Sequence, residues 1–399
     1  MTPRIVVMPG DGIGPIVVAE ALRVLDAARF DAEWITADVG WECWRHEGNA
    51  LPERTVRLLE QHRVGLFGAI TSKPRDVAER ELDPELRGTS LRYVSPVLAM
   101  RQRLHLETCI RPCRTLEGNP LAYVRRAASG AVVAPRIDVT LVTQNTECLY
   151  SSVEWTDPPP DLRRALDAHP EMRARFAGVE SPDLALSCRI TSRGACDRIA
   201  EAAFAYAEAH GYASVTVCDK WGVMRETSAM LLAAAESAAS RHPRIALART
   251  DFDAQVMWIV RRPERFGVIL SSALVGDVLS DGFAGLVGGL GFACSANLGE
   301  ACAVFEPTHG SAPKHASIDP PIVNPIATIL AATMMLDHLG DSPRAERIRD
   351  AVALVVREGR VRTYDMLGLD GNELAVASGA ATTRAMGDAV IDAVRAAPA

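Results

Sequence analysis

The sequence lacks long uncharged runs and paired cysteines. No stretch approaches the roughly 18 apolar residues of a membrane span, because the longest candidate, residues 266–298, contains Asp277, Asp281 and several glycines. None of the nine cysteines lies in a Cys-x-x-Cys pair, which argues against a disulfide framework or a structural zinc site. We therefore expect reduced thiols and no membrane segment.

Positive charge is also in deficit. The formal net charge of −7 disfavours nucleic acid as a partner.

The first residues, MTPRIVVMPGDG, run directly into a strand-like segment without the apolar core of a signal peptide, so we expect a cytoplasmic protein. With 48% hydrophobic and 23% charged residues, the composition is that of a globular protein, and the 399 residues fit two or three domains.

Lysine is rare: only Lys73, Lys220 and Lys314 occur among 43 lysines and arginines. A chain that uses arginine for nearly all solvated positive charge is expected to keep lysine where a compact, deprotonatable ammonium matters. Each lysine is therefore a candidate functional residue, with chance retention as the alternative.

Apolar strand-like runs alternate with helical segments along most of the chain. This alternation predicts an α/β protein with a largely parallel sheet. The strand-like runs are 5–8, 64–70, 138–143, 214–218 and 267–272. An amphipathic helix is expected over 16–28, and residues 151–186, rich in proline, aspartate and arginine, are predicted to leave the core.

A glycine-rich turn follows the first run, but its spacing is not that of a Rossmann fingerprint. Gly10, Gly12 and Gly14 are followed by Pro15, whereas the dinucleotide motif is G-x-G-x-x-G. Pro15 fits the first turn of a helix, where its missing N–H costs nothing. We therefore expect no Rossmann domain.

Two aspartates, Asp277 and Asp281, follow the run 267–272 at helical spacing. We expect them to open a helix with both carboxylates on one face, where like charges are destabilising unless a cation lies between them. Carboxylate oxygens suit a hard divalent cation such as Mg²⁺ or Mn²⁺. The alternative is a capping aspartate followed by an exposed one.

A second candidate is the segment 305–314, FEPTHGSAPK, which contains His309 and Lys314. Backbone N–H groups, an imidazole and an ammonium in one loop suit phosphate and adenine recognition. For this segment taken alone, a proline-rich surface connection is the alternative.

Taken in order, these motifs resemble the β-decarboxylating dehydrogenases, the family of isocitrate, 3-isopropylmalate, homoisocitrate and tartrate dehydrogenases. The resemblance extends over nearly the whole chain. The segments that carry it are 8–15 (MPGDGIGP), Arg101 with Arg111-Pro112, 145–150 (NTECLY), Asp219-Lys220, 276–281 (GDVLSD), 288–291 (GGLG), 295–297 (SAN) and 306–313 (EPTHGSAP).

The resemblance implies a two-domain α/β fold with a shared central sheet, not a Rossmann fold, in a homodimer with shared active sites. The large domain would comprise residues 1–106 and 288–399 and carry the cofactor loop. The small domain, residues 107–287, would hold the metal site and the dimer interface. Within it, the excursion over residues 148–190 would form a clasp between subunits.

The implied reaction is the oxidative decarboxylation of a 2-hydroxy acid. Hydride passes from the hydroxyl carbon to a nicotinamide, and CO₂ then leaves the β-keto acid. In the family, the tyrosine matching Tyr150 protonates the enol, and the lysine matching Lys220, aided by Asp277, deprotonates the hydroxyl. Arginine could not replace Lys220, because a guanidinium does not release its proton at working pH. The like charge of a nearby cation is expected to lower the pKa of Lys220.

The implied metal site contains Mg²⁺ or Mn²⁺ between two subunits. Asp277 and Asp281 would be ligands from one subunit, and the partner subunit's Asp253 would be the third. Asp251 is a nearby competitor for that third position.

The substrate pocket departs from the family pattern at its arginines. Arg101 and Arg111 match two of the three arginines that bind carboxylates. Thr143 stands where the third is expected, and threonine cannot form a bidentate, charge-assisted pair with a carboxylate.

Other substitutions point the same way. Ser95 matches a serine of isocitrate enzymes, but Val97 replaces their usual asparagine, while Arg92 and Lys73 would add positive charge nearby. We therefore expect an isocitrate-like 3-substituted malate as substrate, with an altered carboxylate pocket. The alternatives are isopropylmalate, homoisocitrate, tartrate or a specialised-metabolism analogue such as a phosphonate.

The cofactor loop resembles that of NADP-using isocitrate dehydrogenases, because Lys314-His315 replaces the aspartate of NAD-using members. A lysine can pair with the 2′-phosphate, so we expect NADP, with NAD as the alternative. The residues that match the cofactor site are Thr71, His309, Gly310, Ser311, Ala312, Lys314, His315, Asn324, Tyr364 and Asp365.

A non-catalytic regulatory subunit of the same fold is the remaining alternative. Such subunits tend to lose metal ligands or the tyrosine–lysine pair. This chain keeps all five residues, namely Tyr150, Lys220, Asp253, Asp277 and Asp281.

Overall fold

The structure is a computed structural model that describes residues 2–397. Its strands are β1 (Arg4–Gly10), β2 (Glu33–Thr36), β3 (Val64–Ala69), β4 (Thr108–Arg114), β5 (Arg125–Arg126), β6 (Val132–Val133), β7 (Asp138–Gln144), β8 (Glu154–Thr156), β9 (Ala185–Ser187), β10 (Ser214–Asp219), β11 (Ala246–Asp251), β12 (Val268–Ser271), β13 (Cys294–Leu298) and β14 (Ala303–Pro307).

The helices alternate with these strands, as the sequence predicts. They are α1 (Gly14–Ala27), α2 (Trp41–Glu47), α3 (Glu53–His62), α4 (Arg75–Arg80), α5 (Pro96–Arg103), α6 (Pro160–Asp167), α7 (Pro170–Phe176), α8 (Arg193–Ala209), α9 (Arg225–Arg241), α10 (Phe252–Arg261), α11 (Ala273–Val287), α12 (Pro313–Ala316), α13 (Ile326–His338), α14 (Ser342–Glu358) and α15 (Thr383–Ala396).

Ten strands form one central sheet in the order β11-β10-β12-β7-β4-β13-β14-β3-β1-β2. The pairs at both ends are parallel, and only β7–β4, β4–β13 and β13–β14 are antiparallel. The predicted α/β class is confirmed. Every residue of β3 and of β12 is buried, because helices cover both faces of the sheet.

Glycine and proline residues determine where helix α1 begins. Pro15 lies in the first turn of α1, as predicted, and Gly10 and Gly12 adopt positive φ in the turn before it. The predicted helix over 16–28 is confirmed within two residues. The strand order, with antiparallel pairs in the middle of the sheet, is not that of a Rossmann fold.

Each half of the sheet comes from a different part of the chain. β4, β7, β10, β11 and β12 lie together in one half, whereas β1, β2, β3, β13 and β14 form the other. The two halves meet where β4 pairs with β13. The proposed division into residues 107–287 and the two flanking segments stays a prediction, which this strand order favours.

The proline-rich excursion leaves the main sheet. β8 and β9 pair with each other as a separate antiparallel hairpin, and α6 and α7 lie between them in the chain. Its role as an intersubunit clasp stays a prediction.

Over residues 2–397, the helices include none with the length and apolarity of a membrane span.

Candidate active site

Four parallel strands direct their carboxyl ends to one edge of the sheet. β7, β12, β10 and β11 are neighbours in that order, and each is followed by a candidate site segment. β7 leads to Tyr150, β12 to α11, β10 to Lys220 and β11 to α10. Parallel strands therefore bring these residues, distant in sequence, to the same edge.

Helix α11 carries Asp277 and Asp281. The helix begins at Ala273, so the prediction that the aspartates open it is wrong by one turn: Ser272 is the N-cap and Asp277 lies in the second turn. Val275, Leu279 and Phe283 on the opposite face are buried in the core. Burial and the charge of Asp277 raise the pKa of Asp281, as expected for two carboxylates one turn apart.

Arg111 of β4 reaches these carboxylates from the sheet. Its Nη1 atom lies 2.8 Å from Asp277 Oδ1 and 3.9 Å from Asp281 Oδ1, and it donates to Ser280 Oγ at 2.7 Å. The guanidinium is largely buried, and its Nε has no hydrogen-bond partner. Arg111 therefore lies beside both predicted metal ligands with hydrogen-bonding capacity to spare.

Tyr150 belongs to a 3₁₀ turn, Leu149–Ser151, that follows β7. Its hydroxyl donates to Asp277 Oδ2 at 2.8 Å. Burial and the Asp277 carboxylate raise the pKa of Tyr150, so the phenol keeps its proton. The structure thus joins Tyr150, Asp277 and Arg111 in one contact network.

Lys220 and Asp253 form a separate pair. Lys220 Nζ donates to Asp253 Oδ1 at 2.5 Å, and this contact raises the lysine pKa and lowers the aspartate pKa. The expected lowering of the Lys220 pKa depends on a cation and is not seen in the chain alone. Asp251 ends β11 as an exposed N-cap, without a side-chain contact to Lys220.

The two carboxylates of α11 have the chemistry of a divalent-metal site. Within residues 2–397, no group of three or more histidine, cysteine or acidic side chains is placed to hold a metal. Asp277 and Asp281 offer two carboxylates on one helical face, the oxygen ligands that Mg²⁺ and Mn²⁺ prefer. Further ligands would come from outside this pair of carboxylates.

A buried network lies next to Arg111 that the sequence analysis missed. Arg101 of α5 donates from Nη2 to Glu306 Oε1 at 2.9 Å, and Asn297 Nδ2 donates to the same oxygen at 2.7 Å. Asn297 in turn accepts from Asn145 Nδ2 at 2.7 Å. The available signal was an acidic residue, Glu306, between apolar neighbours in a strand.

The residues expected near the substrate differ in burial and in their contacts. Ser95 is the half-buried N-cap of α5, the helix that also bears Arg101. Thr143 is buried, and a Cβ at Gly276 would lie only 2.0 Å from its Cγ2, so position 143 packs directly beneath α11. Lys73, expected to add positive charge nearby, has its ammonium 2.6 Å from Glu81 Oε2 and over the Trp41 ring, so Glu81 balances its charge.

The predicted cofactor loop docks on the amino-terminal motif. Ser311 Oγ lies 2.6 Å from Thr71 Oγ1, and the Thr71 amide donates to Asp11 Oδ2 at 2.8 Å. A Cβ at Gly310 would meet only the Ile70 carbonyl, at 3.9 Å, so this part of the loop borders open space. These contacts bring Thr71, Gly310 and Ser311 together, and their role in cofactor binding stays a prediction.

Two side chains of the loop are available for a ligand. His309 Nε2 is buried without a hydrogen-bond partner, and burial lowers the pKa of this histidine, so the ring is neutral. Lys314 is exposed in α12 and has no ion-pair partner among residues 2–397. An orphaned imidazole nitrogen and a free ammonium fit a phosphorylated cofactor.

The remaining cofactor candidates form a cluster behind the loop. His315 is buried, with its ring centroid 5.3 Å from that of Tyr364, and burial and the Lys314 charge lower its pKa. Asn324 Nδ2 donates to Asp365 Oδ2 at 3.2 Å. Ala312 precedes α12 in a left-handed conformation, which turns the chain into that helix.

Comparison with known proteins places this geometry in one family. The model of the isocitrate/isopropylmalate dehydrogenase family matches residues 4–390. The chain is 36% identical over 395 residues to an isocitrate/homoisocitrate dehydrogenase of Thermus thermophilus, covering 99% of both chains. It is 35% identical over 389 residues to protein DlpA of Legionella pneumophila, covering 98% of this chain but spanning 58% of that protein's length.

A solved structure gives the same result. An isocitrate dehydrogenase from Methylococcus capsulatus superimposes with a TM-score of 0.79 at 31% identity, over 99% of this chain and 100% of that one. Both the sequence and the fold therefore agree with the family expected from the motifs.

Proposed function

The chain belongs to the isocitrate/isopropylmalate dehydrogenase family, and we propose that it catalyses the NADP-dependent oxidative decarboxylation of an isocitrate-like 3-substituted malate. The family consists of NAD(P)- and divalent-metal-dependent oxidoreductases that act on CH–OH groups with decarboxylation. The observation that carries the proposal is the meeting of Tyr150, Arg111 and Asp277 within 2.8 Å contacts.

In this proposal, two buried arginines bind the substrate. Arg101 and Arg111 are both largely buried, and their guanidinium groups offer positive charge for a carboxylate. Glu306 accepts a hydrogen bond from Arg101 Nη2 and so restrains this guanidinium. A malate bearing carboxylates at both ends of its C2–C3 bond suits two preoriented guanidinium groups.

In this proposal, Tyr150 is the acid and Lys220 is the base in proton transfer. The Tyr150 phenol is protonated and held by Asp277, in the state required of an acid that donates to the enol carbon. Lys220 is the candidate base for the substrate hydroxyl, and its contact with Asp253 sets where its ammonium lies. A divalent cation held by Asp277 and Asp281 would supply Lewis acidity at the substrate oxygens.

The substrate is distinguished by its 3-substituent. Thr143 removes one carboxylate-binding arginine from the family pattern, while Ser95 keeps a hydroxyl at the start of α5. This combination supports an isocitrate-like acid whose side group is bound through hydrogen bonds more than through a third ion pair.

NADP is favoured over NAD by the free ammonium of Lys314. The 2′-phosphate carries nearly two negative charges at neutral pH, whereas the NAD ribose offers only hydroxyls. An exposed lysine without a carboxylate partner among residues 2–397 can pair with that phosphate without breaking an ion pair there.

The proposal includes a homodimer with shared sites. Exposed apolar side chains on α10 (Val256, Met257 and Val260) continue the helical face of Asp253 at i+3, i+4 and i+7. On α11, Leu274 and Val278 are likewise exposed, one turn from Asp277 and Asp281. A second copy that covers these apolar faces would bring its own carboxylate against the metal ligands.

The reaction is tested with a panel of acids. Purified chain is incubated with isocitrate, homoisocitrate, 3-isopropylmalate or tartrate, each with Mg²⁺ or Mn²⁺ and with NADP or NAD, while reduced cofactor and released CO₂ are recorded. We expect one 3-substituted malate to yield both products in equal amounts. Asp277→Asn is the matched inactive control, and absence of turnover across the panel would refute the proposal.

Shared sites are tested by mixing two inactive variants. Asp253→Asn and Asp277→Asn are each expected to be inactive as homodimers. Redistributed mixed dimers should regain about a quarter of wild-type activity, because half of the dimers carry one intact site. A mixture that stays inactive, with mixed dimers demonstrated by native mass spectrometry, would place the whole site within one chain.

A further inference from the structure

The sheet carries a second cavity on the face opposite the candidate active site. Successive residues of a strand point to opposite faces, so Ile110 and Pro112 of β4 face away from the side of Arg111. Ala296 of β13 pairs with Ile110, and Phe305 of β14 pairs with Ala296. These side chains form the floor of a cavity of about 740 Å³, here named the posterior cavity.

The walls of the posterior cavity come from both halves of the sheet. Tyr206 and His210 at the end of α8 form one wall, and Met334 of α13 and Ala353 of α14 form the other. Helix α8 packs on β7 and β12, whereas α13 packs on β13 and β14. The cavity therefore spans the junction at which β4 meets β13.

The size and lining are those of a ligand site. Small-molecule pockets typically enclose about 300–1,000 Å³, with a mostly apolar surface and a few polar groups. Here an apolar floor that includes Phe305 is combined with charged lips. Arg114 lies 3.0 Å from Asp138 at one lip, and Arg349 lies 2.6 Å from Asp337 at the other.

The charges at the second lip indicate the sign of the ligand. Arg349 is already neutralised by Asp337, while Glu346 and Asp350 on the same face of α14 have no ion-pair partner within residues 2–397. These two carboxylates are one helical turn apart, where a bound cation would relieve their repulsion.

We propose that the posterior cavity binds a small molecule with an apolar body and a cationic head. The body lies on Ile110, Ala296 and Phe305, and the head lies between Glu346 and Asp350. Because the two walls belong to different halves of the sheet, an occupant also holds α8 apart from α13 and α14. The effect that this has on turnover rests on the proposed function, whereas binding does not.

Three probes with one apolar body and different heads test the site: 4-phenylbutylamine, 4-phenylbutan-1-ol and 4-phenylbutyrate. Their binding to the full chain is measured at pH 7 by ligand-observed NMR, with NADP and Mg²⁺ present. The amine should bind with a Kd on the order of millimolar, since probes of this size gain little affinity. The alcohol should bind more weakly, and the carboxylate should bind least.

Variants locate the binding. Ala353→Phe fills the cavity and should abolish binding of all three probes, whereas Ala205→Phe, on the exposed face of α8, should leave it intact. Glu346→Gln combined with Asp350→Asn should weaken the amine about threefold to tenfold and leave the alcohol unchanged. Binding that survives Ala353→Phe, or preference for the carboxylate, would overturn the proposal.

The effect of posterior-cavity binding on catalysis is measured separately. With an active enzyme, saturating 4-phenylbutylamine should change the KM for the acid substrate, and Ala353→Phe should remove this response. Binding by NMR without any kinetic change would overturn the coupling alone. A chain that shows no turnover with any acid still reports on the cavity, because the NMR measurement needs no reaction.

Discussion

The two sides of the candidate active site differ in what their charges already contact. On the carboxylate side, Arg111 lies 2.8 Å from Asp277, and Arg101 lies 2.9 Å from Glu306. On the loop side, His309 Nε2 has no partner and Lys314 has no counter-ion within residues 2–397. The carboxylate side is preorganised, which favours charge stabilisation without rearrangement, whereas the loop side leaves its polar groups free to select a cofactor.

The largest effect is expected at Lys220, the candidate base, which pairs with the Asp253 carboxylate. Lys220→Met removes the candidate base and should lower kcat/KM by about 10²–10⁴-fold, the usual range for a general base. Lys73→Met is the matched control: Lys73 also pairs with a carboxylate, but it contacts Glu81 and the Trp41 ring and none of the candidate catalytic residues, so kcat/KM should change by less than about threefold. Both are measured by steady-state formation of reduced cofactor.

Equal losses in the two lysine variants would contradict a specific role of Lys220 as the base, because both lysines already pair with a carboxylate. Retained activity in Lys220→Met would remove the base from Lys220. Circular dichroism and melting temperature confirm that each variant is folded.

The loop side should respond in selectivity more than in rate. Lys314→Asp replaces attraction for the 2′-phosphate with repulsion and provides an acceptor for the NAD ribose, which changes selectivity in both directions. We expect the ratio of kcat/KM for NADP to that for NAD to fall about 10–100-fold. Lys314→Met separates loss of attraction from added repulsion, and a wild-type preference for NAD would contradict the role of Lys314.

Features that depend on local sequence could be predicted, whereas long-range contacts could not. The i, i+4 spacing of Asp277 and Asp281 determines that they share a helical face, and the apolar runs identify buried strands. By contrast, Arg101 and Glu306 are 205 positions apart and meet only because β14 lies beside β13 near α5. Likewise, the engagement of Lys73 with Glu81 depends on how α4 packs.

The clasp depends on contacts between two chains, which no pattern within one sequence determines. Strand order separates residues 108–271 from the rest within the sheet, in agreement with the proposed domains. Asp253 is the same kind of case: its place in α10 follows from the chain, while its role as a ligand depends on a partner.

Glycine substitutions should show the same contrast in packing. A Cβ at Gly276 would lie 2.0 Å from Thr143 Cγ2 and 2.6 Å from Ser271 Oγ, so Gly276→Ala should destabilise the chain by about 1–3 kcal/mol. Gly310→Ala should change the free energy of unfolding by less than about 0.5 kcal/mol, because its Cβ enters open space. Urea unfolding measures both, and equal destabilisation would contradict a packed carboxylate side and an open loop side.

The smallest effect concerns the neutral histidine of the loop side. Burial lowers the pKa of His309 from its ordinary value of 6.5, so the unfolded chain binds more protons than the folded chain in the window below 6.5. The contribution of neutral His309 to the free energy of unfolding is therefore fully present above pH 6.5 and is lost as the pH falls through the folded-state pKa of His309. His309→Asn should reduce the fall in Tm between pH 7 and pH 5.5 by roughly 1 °C, measured by differential scanning fluorimetry.

The cofactor should distinguish His309 from a merely buried histidine. If a cofactor phosphate accepts from the imidazole, NADP raises the pKa of His309 and diminishes its contribution to the pH dependence. His338 is the matched control, since burial also lowers its pKa but it lies at the posterior cavity. The contribution removed by His338→Asn should be the same with and without NADP, whereas that removed by His309→Asn should shrink when NADP is bound. A His309 contribution that NADP leaves unchanged would mean that its free nitrogen serves no ligand, and the contrast between the two sides would then rest on Lys314 alone.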